Sequence, residues 1–257
     1  MGIALLQKLI DYLSDILFPP NCLFCGKYLG IGFRPLICEE CMDKYSAYRG
    51  KCCRCDSKFV LKNKLPHCNT CQSARHPFNG VISTFYYSGG VKRAVIEHKF
   101  DFTHNNAPLF GSQMSSMLEM FFVDSRPDLI TFVPSTKNRL HERGYDAIWE
   151  IAEEVSFRTG IPLEDNALKK VKDIPQQSKT KSRLARMRNV RGCFSITDKS
   201  RVKGKAVVLI DDVYTTGATT RECAKVLKRA GAAYIIIAVV AISESFRREQ
   251  DDNSIYA

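Results

Sequence analysis

The residues of clearest chemical interest are two adjacent aspartates, Asp211 and Asp212, in the stretch VVLIDDVYTTGATT. The four apolar residues before them predict a buried strand, and the small and hydroxylated residues after them predict a loop entering a helix. The loop residues are Thr215, Thr216, Gly217, Ala218 and Thr219. Backbone N–H groups, hydroxyl donors and the positive end of the helix dipole would converge there, which is what a phosphate dianion requires.

Adjacent carboxylates just before such a loop can accept hydrogen bonds from vicinal hydroxyl groups. A ribose 5-phosphate carries both kinds of group, so the stretch is typical of a site for a phosphorylated ribose. The alternative interpretation is an aspartate-rich loop that only caps a helix, because Asp and Thr are common N-terminal caps. Spacing alone leaves both interpretations open.

Nine of the eleven cysteines lie between Cys22 and Cys71, and eight of them form an internal repeat. The pattern Cys-x2-Cys-x12-Cys-x2-Cys occurs first at Cys22, Cys25, Cys38 and Cys41, and again at Cys52, Cys55, Cys68 and Cys71. Two thiolates separated by two residues can bind one side of a tetrahedral zinc ion, and a second pair completes the other side. We predict two structural zinc ions without an open coordination position.

Other assignments of the cysteines stay open. Cys53 could replace Cys52, and His67 could replace Cys68, although the repeat favours the regular positions. One metal site with spare cysteines and a set of disulfides are further alternatives. Because no secretory signal precedes the cluster, metal binding is favoured over disulfides.

Alternating strand and helix patterns follow the cysteine-rich segment. Strands are predicted at 80–88, 128–133, 205–210 and 234–242, and helices at 89–100, 138–160 and 219–230. This alternation predicts an α/β fold with a mostly parallel sheet and helices on both faces, with ligands beyond the carboxyl ends of the strands. We divide the chain into an N-terminal amphipathic helix (1–19), a double zinc ribbon (20–75), the α/β domain (80–245) and a polar tail (246–257).

The N-terminal helix carries apolar residues at helical spacing and ends before Pro19 and Pro20. We expect its apolar side to pack on the protein, and the alternative is a helix that docks on a membrane surface or a partner. No segment has the roughly 20 uninterrupted apolar residues of a membrane span. We therefore predict a cytoplasmic protein, with attachment at the inner face of the membrane as the alternative.

The formal net charge of +11 is concentrated between Lys169 and Lys205, where thirteen lysines and arginines stand against two acids. Such a segment suits a phosphate-rich partner, or it is a solvated basic face without one. Candidate contacts to single-stranded DNA are Lys179, Lys181, Arg183, Arg186, Arg188 and Arg191. Phe194 is the one aromatic residue for stacking, so binding to the nucleic-acid backbone is expected rather than base-specific recognition.

The string LIDDVYTTGATT resembles the phosphoribosyl pyrophosphate (PRPP) motif of type I phosphoribosyltransferases. The chain as a whole resembles the ComF family of competence and DNA-utilisation proteins, which join N-terminal zinc ribbons to such a domain. This resemblance rests on LFPPNCLFCG, YYSGGVKRAVIEHKF, VPSTKNRLHERGYD, QQSKTKSRLARMRNVRGCF and the acidic loop, in this order.

The resemblance implies a role for each matching residue. Asp211 and Asp212 would bind the ribose hydroxyls and, in an enzyme, would be the catalytic residues that orient the ring and offset its developing positive charge, while the loop at 215–219 would bind the 5-phosphate. Lys99, Arg139 and Arg143 match basic positions near the pyrophosphate, on which Mg²⁺ is expected. Turnover would be substitution at the anomeric carbon of the ribose, with pyrophosphate leaving.

One departure from the family affects this expectation. The family usually has Asn-Gln where this chain has Asp146 and Ala147, so an amide is lost and an acid is added beside the expected pyrophosphate site.

Three functional hypotheses follow. The first is a protein of natural transformation that handles incoming single-stranded DNA and binds PRPP as a ligand. The second is an active phosphoribosyltransferase with an unidentified acceptor, and the third is an adaptor that docks a helicase or a membrane uptake complex.

Overall fold

The computed structural model describes residues 12–17, 19–32, 36–47, 76–101, 106–122, 126–136, 144–172 and 187–243. Four strands form the main sheet: β1 (Gly80–Tyr86), β2 (Leu129–Phe132), β5 (Ala206–Tyr214) and β6 (Tyr234–Ile242). They are all parallel and lie in the order β1-β6-β5-β2. A second, antiparallel pair consists of β3 (Leu168–Lys170) and β4 (Phe194–Ile196). The predicted α/β class with a parallel sheet is confirmed.

Helices cover both faces of this sheet. They are α1 (Glu39–Tyr45), α2 (Gly89–Phe100), α3 (Ala107–Phe121), α4 (Ala147–Thr159) and α5 (Ala218–Arg229). Val208 and Ile210 of β5 belong to the apolar core shared with α2, α3 and α4, whereas Val207 and Leu209 belong to the core shared with α5 and β4. Since successive residues of a strand point to opposite faces, β5 is apolar on both sides and completely covered.

The predicted strand at 234–242 and helix at 89–100 have the observed boundaries, and the other predicted elements are recovered with different ones. The strand expected at 80–88 ends at Tyr86, and the helix expected from residue 219 begins at Ala218. The helix expected at 138–160 is α4, which begins at Ala147, because Gly144 has a positive φ of 72° and Asp146 caps the helix from an extended conformation. Residues 137–143 lie outside the described part of the chain.

The first cysteine group packs into the core of the α/β body. Phe24, between Cys22 and Cys25, is 3% exposed and makes edge-to-face contacts with the rings of Tyr45 and Phe85. Cys22, Cys38 and Cys41 belong to the same apolar core as Ile82 and Val91. The small cysteine-rich module and the sheet are therefore stabilised by one common core.

Both outer strands of the sheet have a neighbouring segment of backbone. Ser46 forms an antiparallel bridge with Phe85 of β1, and the N–H of Ala47 donates to the carbonyl of Thr84 at 3.0 Å. On the opposite side Leu163 bridges Ile130 of β2. Each edge thus has hydrogen-bonding groups occupied by the chain itself.

The described part of the N-terminal helix, residues 12–17, does not follow the predicted packing. Leu13, Ile16 and Leu17 are 50–73% exposed, whereas Asp15 is buried and accepts a hydrogen bond from the N–H of Gly32 at 2.7 Å. The expectation that the apolar side packs on the protein is wrong for these residues, because a carboxylate that binds a turn occupies the inward side. Among the described helices, none is long and apolar enough to cross a membrane.

Candidate functional site

The acidic pair, Asp211 and Asp212, lies inside β5 rather than after it. The predicted strand ended at Ile210, but β5 pairs with β6 as far as Tyr214, opposite Ile242. The neighbouring strand β2 ends at Phe132, opposite Ile210. The carboxyl end of β5 therefore extends beyond β2, and the acidic pair lies on this extension. The prediction stopped early because carboxylates are poor strand formers, while pairing with the apolar end of β6 continues the strand.

Both carboxylates are buried and held in place. Asp211 is 7% exposed and Asp212 is 9% exposed. Asp211 Oδ1 accepts a hydrogen bond from the N–H of Asp212 at 2.9 Å, and Asp212 Oδ1 accepts one from the N–H of Val213 at 2.5 Å. Asp212 Oδ2 forms an ion pair with Lys99 Nζ.

Burial raises the pKa of Asp211 to about 8, and the neighbouring carboxylate of Asp212 contributes in the same direction. Lys99 opposes the shift but does not cancel it. Without a ligand, Asp211 is therefore mostly protonated at neutral pH. A group that brings hydroxyl donors or positive charge to this carboxyl would favour its ionised form.

The loop after β5 leads directly into α5. Gly217 has φ 67° and stands at the N-cap, where it offers no side chain to bond the first turn. A Cβ on Gly217 would overlap the ring of Tyr214. Thr216 Oγ1 accepts from the N–H of Ala218 at 3.4 Å, and Thr215 and Thr219 are partly exposed. The first-turn N–H groups of a helix lack helical acceptors, so this end of α5 is suited to an anion.

Helix α2 brings a cation and a buried imidazole to the acidic pair. Lys99 pairs with Asp212, and the adjacent His98 is 2% exposed with its Nε2 2.8 Å from the carbonyl oxygen of Ala147. Burial lowers the pKa of His98, which favours the neutral ring. Tyr145 donates to the carbonyl of His98 at 2.8 Å. The carboxyl end of α2 is therefore tied both to β5 and to the start of α4.

Tyr87 is a neighbour of this site that the sequence did not single out. It directly follows β1, and its N–H donates to the carbonyl of Ile242 at 2.7 Å. Burial raises the pKa of its phenol, which also interacts electrostatically with Lys99 and Asp212. Its position at the carboxyl end of a predicted strand was the signal that could have identified it.

Asp146, the departure from the family pattern, has a defined structural role. Its Oδ1 accepts from the N–H groups of Ile148 at 3.1 Å and Trp149 at 3.5 Å, at the N-terminus of α4. The same oxygen accepts from the hydroxyl of Ser135 at 3.1 Å, and Ser135 lies in the segment after β2. Asp146 therefore caps a helix and holds the loop beside the acidic pair, a role that an asparagine oxygen would also perform.

The cysteine cluster, Cys22, Cys25, Cys38 and Cys41, has its four sulfur atoms within 4.8 Å of one another. The Sγ atoms of Cys25 and Cys38 are 3.7 Å apart. A tetrahedral zinc ion with Zn–S bonds of about 2.3 Å requires sulfur atoms about 3.8 Å apart. Burial and the neighbouring thiols raise the pKa of Cys41, so a cation is needed if all four are to be thiolates. The cluster therefore fits a structural zinc ion.

Local backbone geometry explains why the first pair forms. Gly26 has φ 78°, and its N–H donates to the carbonyl of Cys22 at 2.8 Å, which closes the tight turn. The N–H of Cys38 donates to Cys22 Sγ at 3.4 Å. The second predicted group, Cys52, Cys55, Cys68 and Cys71, lies outside the described residues, as do Cys53 and His67.

The basic segment is described at 169–172 and 187–205, so only two of its six candidate DNA contacts are described. Arg188 and Arg191 are exposed, while Lys179, Lys181, Arg183 and Arg186 lie outside the described residues, as do Arg139 and Arg143. The N–H of Gly192 donates to Glu222 Oε1 at 3.0 Å, which fixes the end of the segment to α5. Phe194 is 4% exposed, so the suggestion that it stacks on bases is wrong: its ring fills the core beneath β4.

Comparisons with known families agree with this architecture. A family model described as a phosphoribosyl transferase domain matches residues 148–256, and one described as a double zinc ribbon domain matches residues 13–75. Together with the parallel sheet and the cysteine cluster, these matches define the class: an α/β protein of the type I phosphoribosyltransferase fold, preceded by a zinc-ribbon module.

Curated relatives span nearly the whole chain. Competence protein F of Haemophilus influenzae is 25% identical over 223 residues, which cover 84% of this chain and 93% of that protein. The DNA utilization protein YhgH of Escherichia coli K12 is 25% identical over 84% of this chain and 94% of its own length. Competence protein ComFC of Bacillus subtilis is 25% identical over 89% of this chain and 92% of its own length. The predicted resemblance to the ComF family of competence and DNA-utilisation proteins is therefore confirmed over most of the chain.

One solved structure to which the chain is similar is the glutamine PRPP amidotransferase of Bacillus subtilis. It is 23% identical, with a TM-score of 0.38 over 56% of this chain and 30% of that enzyme. The chain thus spans less than a third of that enzyme.

Proposed function

We propose that this chain is a cytoplasmic protein of natural transformation that handles incoming single-stranded DNA and binds PRPP through its phosphoribosyltransferase-like domain. The DNA role is supported by relatives that are named competence and DNA utilization proteins and that match this chain over more than four-fifths of its length. The ligand is supported by the family match at residues 148–256, which includes the acidic pair.

The observation that carries the ligand assignment is the buried acidic pair, which is followed directly by the loop and the N-terminus of α5, where the N-cap residue is a glycine. In the proposed complex, Asp211 and Asp212 accept hydrogen bonds from the ribose hydroxyls. The loop residues Thr215, Thr216, Gly217, Ala218 and Thr219 bind the 5-phosphate with N–H and hydroxyl donors.

The pyrophosphate of the ligand would be bound by cations. Lys99 lies at the acidic pair, and we assign the same role to Arg139 and Arg143. A Mg²⁺ ion would screen the pyrophosphate charge, and carboxylate oxygens such as those of the acidic pair are donors that Mg²⁺ accepts. We further propose two structural zinc ions, one in the cysteine cluster and one at Cys52, Cys55, Cys68 and Cys71.

Calorimetric titration with PRPP and Mg²⁺ tests the ligand assignment. We expect the wild-type protein to bind and Asp211→Asn/Asp212→Asn to bind at least about ten-fold more weakly, since two charged acceptors are lost. Asp165→Asn, which changes an exposed aspartate elsewhere in the fold, is the matched control and should bind like the wild type. A wild-type titration without heat would remove the assignment.

Single-stranded DNA binding is proposed for Lys179, Lys181, Arg183, Arg186, Arg188 and Arg191 of the basic segment, and of these six the exposed Arg188 and Arg191 are described. Backbone binding predicts that the logarithm of the affinity for oligothymidine falls linearly with the logarithm of salt concentration, by about 0.7 per phosphate neutralised. Arg188→Ala/Arg191→Ala should make this slope shallower, whereas Arg201→Ala, which removes a cation paired with Glu164, should leave it unchanged. An affinity independent of salt contradicts the assignment.

The second candidate function is an active phosphoribosyltransferase, favoured by the ion pair between Lys99 and the acidic pair. In that reaction an acceptor lone pair forms the new bond to the anomeric carbon as the bond to pyrophosphate breaks. Asp211 and Asp212 would offset the positive charge of the ring, and Lys99 would stabilise the leaving group. Pyrophosphate release with a panel of nucleobases and amines tests this function, and release with none of them favours the ligand role.

A further inference from the structure

Helix α2 connects the cysteine cluster to the acidic pair. At its amino-terminal end, Arg93 Nη2 donates to the carbonyl oxygens of Leu23 at 3.0 Å and Phe24 at 3.2 Å. These two residues form the turn between the ligands Cys22 and Cys25. Arg93 Nε also pairs with Glu97 at 3.4 Å, which holds the guanidinium along the helix.

The contact between the turn and α2 is close. A Cβ on Gly90 would overlap the carbonyl of Phe24, and one on Gly89 would overlap the hydroxyl of Tyr45. The N–H of Gly90 donates to that hydroxyl at 3.4 Å in a buried position. The two glycines therefore let the cysteine-bearing turn and α1 approach the backbone at the start of α2.

The other end of α2 carries Lys99 and His98. Lys99 pairs with Asp212, and His98 is fixed by the carbonyl of Ala147. Twelve residues of helix span about 18 Å. One continuous helix therefore joins the cysteine-bearing turn to Lys99.

We propose that Arg93 is a positioning residue through which the cysteine cluster fixes Lys99 against the acidic pair. Metal binding at the cluster and PRPP binding at the acidic pair are consequently linked. The cluster holds the Leu23 and Phe24 carbonyls in place, and Arg93 binds them. Helix α2 then fixes the position of Lys99, the cation that faces the ligand. This inference rests on the proposed binding of PRPP and adds a regulatory input to that site.

Linkage of this kind is reciprocal, because two sites that share one conformational equilibrium change each other's affinity by the same factor. If zinc strengthens PRPP binding, then PRPP must strengthen the retention of zinc. Typical couplings correspond to factors of about 5 to 150. We expect zinc to change the affinity for PRPP by a factor near the lower end of this range, since a single helix connects the two sites.

Zinc release from the zinc-loaded protein to an excess of a chromophoric chelator, with and without PRPP and Mg²⁺, is the first test. PRPP should slow release several-fold in the wild type and in Lys92→Ala, which removes an exposed cation from the same helix. In Arg93→Ala the slowing should disappear, and Arg93→Lys should restore part of it, because an ammonium group can still donate to a carbonyl oxygen of the turn. Asp211→Asn/Asp212→Asn is the control for zinc bound by PRPP in solution, because this variant should bind PRPP only weakly. Any effect of PRPP on its zinc release then comes from free PRPP.

Hydrogen exchange in the absence of PRPP is the second test, and it does not depend on the proposed function. Removal of zinc, or Arg93→Ala in the zinc-loaded protein, should increase amide exchange at residues 95–100 relative to Lys92→Ala. Unchanged exchange in both cases overturns the proposal, as does bound PRPP that leaves zinc release unaltered. A calorimetric titration that shows no PRPP binding instead removes the proposed function, and the exchange experiment then decides whether α2 transmits the state of the cluster.

Discussion

At the scale of single residues, the central feature is a carboxyl group whose ionisation is opposed by its surroundings. Asp211 is buried beside Asp212, and its pKa of about 8 means that the protonated form predominates at neutral pH. Hydrogen bonds from ribose hydroxyls and the positive charge of Mg²⁺ both favour the carboxylate. Ligand binding should therefore remove a proton from this group.

We predict that PRPP binding with Mg²⁺ releases a proton below about pH 8 and strengthens as the pH rises toward that value. The sign follows because the bound state has the lower pKa, so higher pH favours it until the free carboxyl is also ionised. Titrations at pH 7 in two buffers of different ionisation enthalpy measure this proton directly. Equal heats in both buffers would contradict the prediction, and Asp211→Asn should abolish the difference between them.

The sequence predicted a ribose phosphate site at this pair, and that assignment stays a prediction. It did not predict the surroundings of the two carboxylates. The burial of Asp211 and the approach of Lys99 depend on β6 and α2, which are distant in the sequence. The position of Tyr87 at the end of a predicted strand placed it at the correct edge of the sheet, but the folded sheet is needed to show that it lies near Asp212.

At the scale of elements, the boundaries next to the site are set by individual caps. Asp146 begins α4 and also holds Ser135 after β2. We predict that Asp146→Ala lowers the free energy of unfolding by about 1–2 kcal/mol, because the capping acceptor is lost. Asp146→Asn should stay close to the wild type. Urea denaturation of the three proteins measures the difference, and equal stabilities would show that the cap contributes nothing.

The start of α5 offers a second prediction. Gly217→Ala should destabilise the protein by about 2–3 kcal/mol, because it combines a positive φ with overlap on the Tyr214 ring. Gly204→Ala is the matched control: its φ is 75°, but a Cβ there would meet nothing within 4 Å. The control should lose only about 1 kcal/mol in the same denaturation experiment. Similar losses of unfolding free energy in Gly217→Ala and Gly204→Ala would mean that the Tyr214 ring moves to accommodate the new Cβ at no cost.

Elements were predictable where the pattern was strong. The apolar run at 234–242 gave both ends of β6 correctly, and the glycines followed by apolar residues at helical spacing gave α2. The start of α4 was placed too early because helix-forming residues precede it, whereas Gly144 and the cap at Asp146 set the actual boundary. The packing prediction for the N-terminal helix was wrong at residues 12–17 for a related reason, since periodicity cannot show that Asp15 accepts a hydrogen bond from Gly32.

At the scale of the whole molecule, the cysteine cluster and the sheet share one core. Phe24 packs on Phe85 of β1, and Tyr45 packs on Phe24. Loss of metal from the cluster should therefore weaken the α/β body as well as the ribbon. Structural zinc contributes directly to folding free energy, so the effect should be large.

We predict that chelation of zinc lowers the melting temperature reported by Trp149, the single tryptophan, which lies on α4 far along the chain from the cysteines. Fluorescence-detected melting before chelation, after chelation and after zinc is restored measures the effect. Restoration of zinc should return the original melting curve. A Trp149 transition that does not respond to chelation would mean that the two parts unfold independently.

The backbone segment at Ser46 and Ala47 has a consequence for solubility. By bonding to Phe85 and Thr84, it occupies the outer edge of β1, and it directly follows α1, which carries the ligand Cys41. An exposed edge of a parallel sheet is a template on which another chain can add a strand. Loss of zinc should therefore release the segment at Ser46 and Ala47 as well as destabilise the zinc ribbon, and this exposes the outer edge of β1. In light-scattering experiments we expect the metal-free protein to self-associate at concentrations at which the zinc-bound form stays monodisperse.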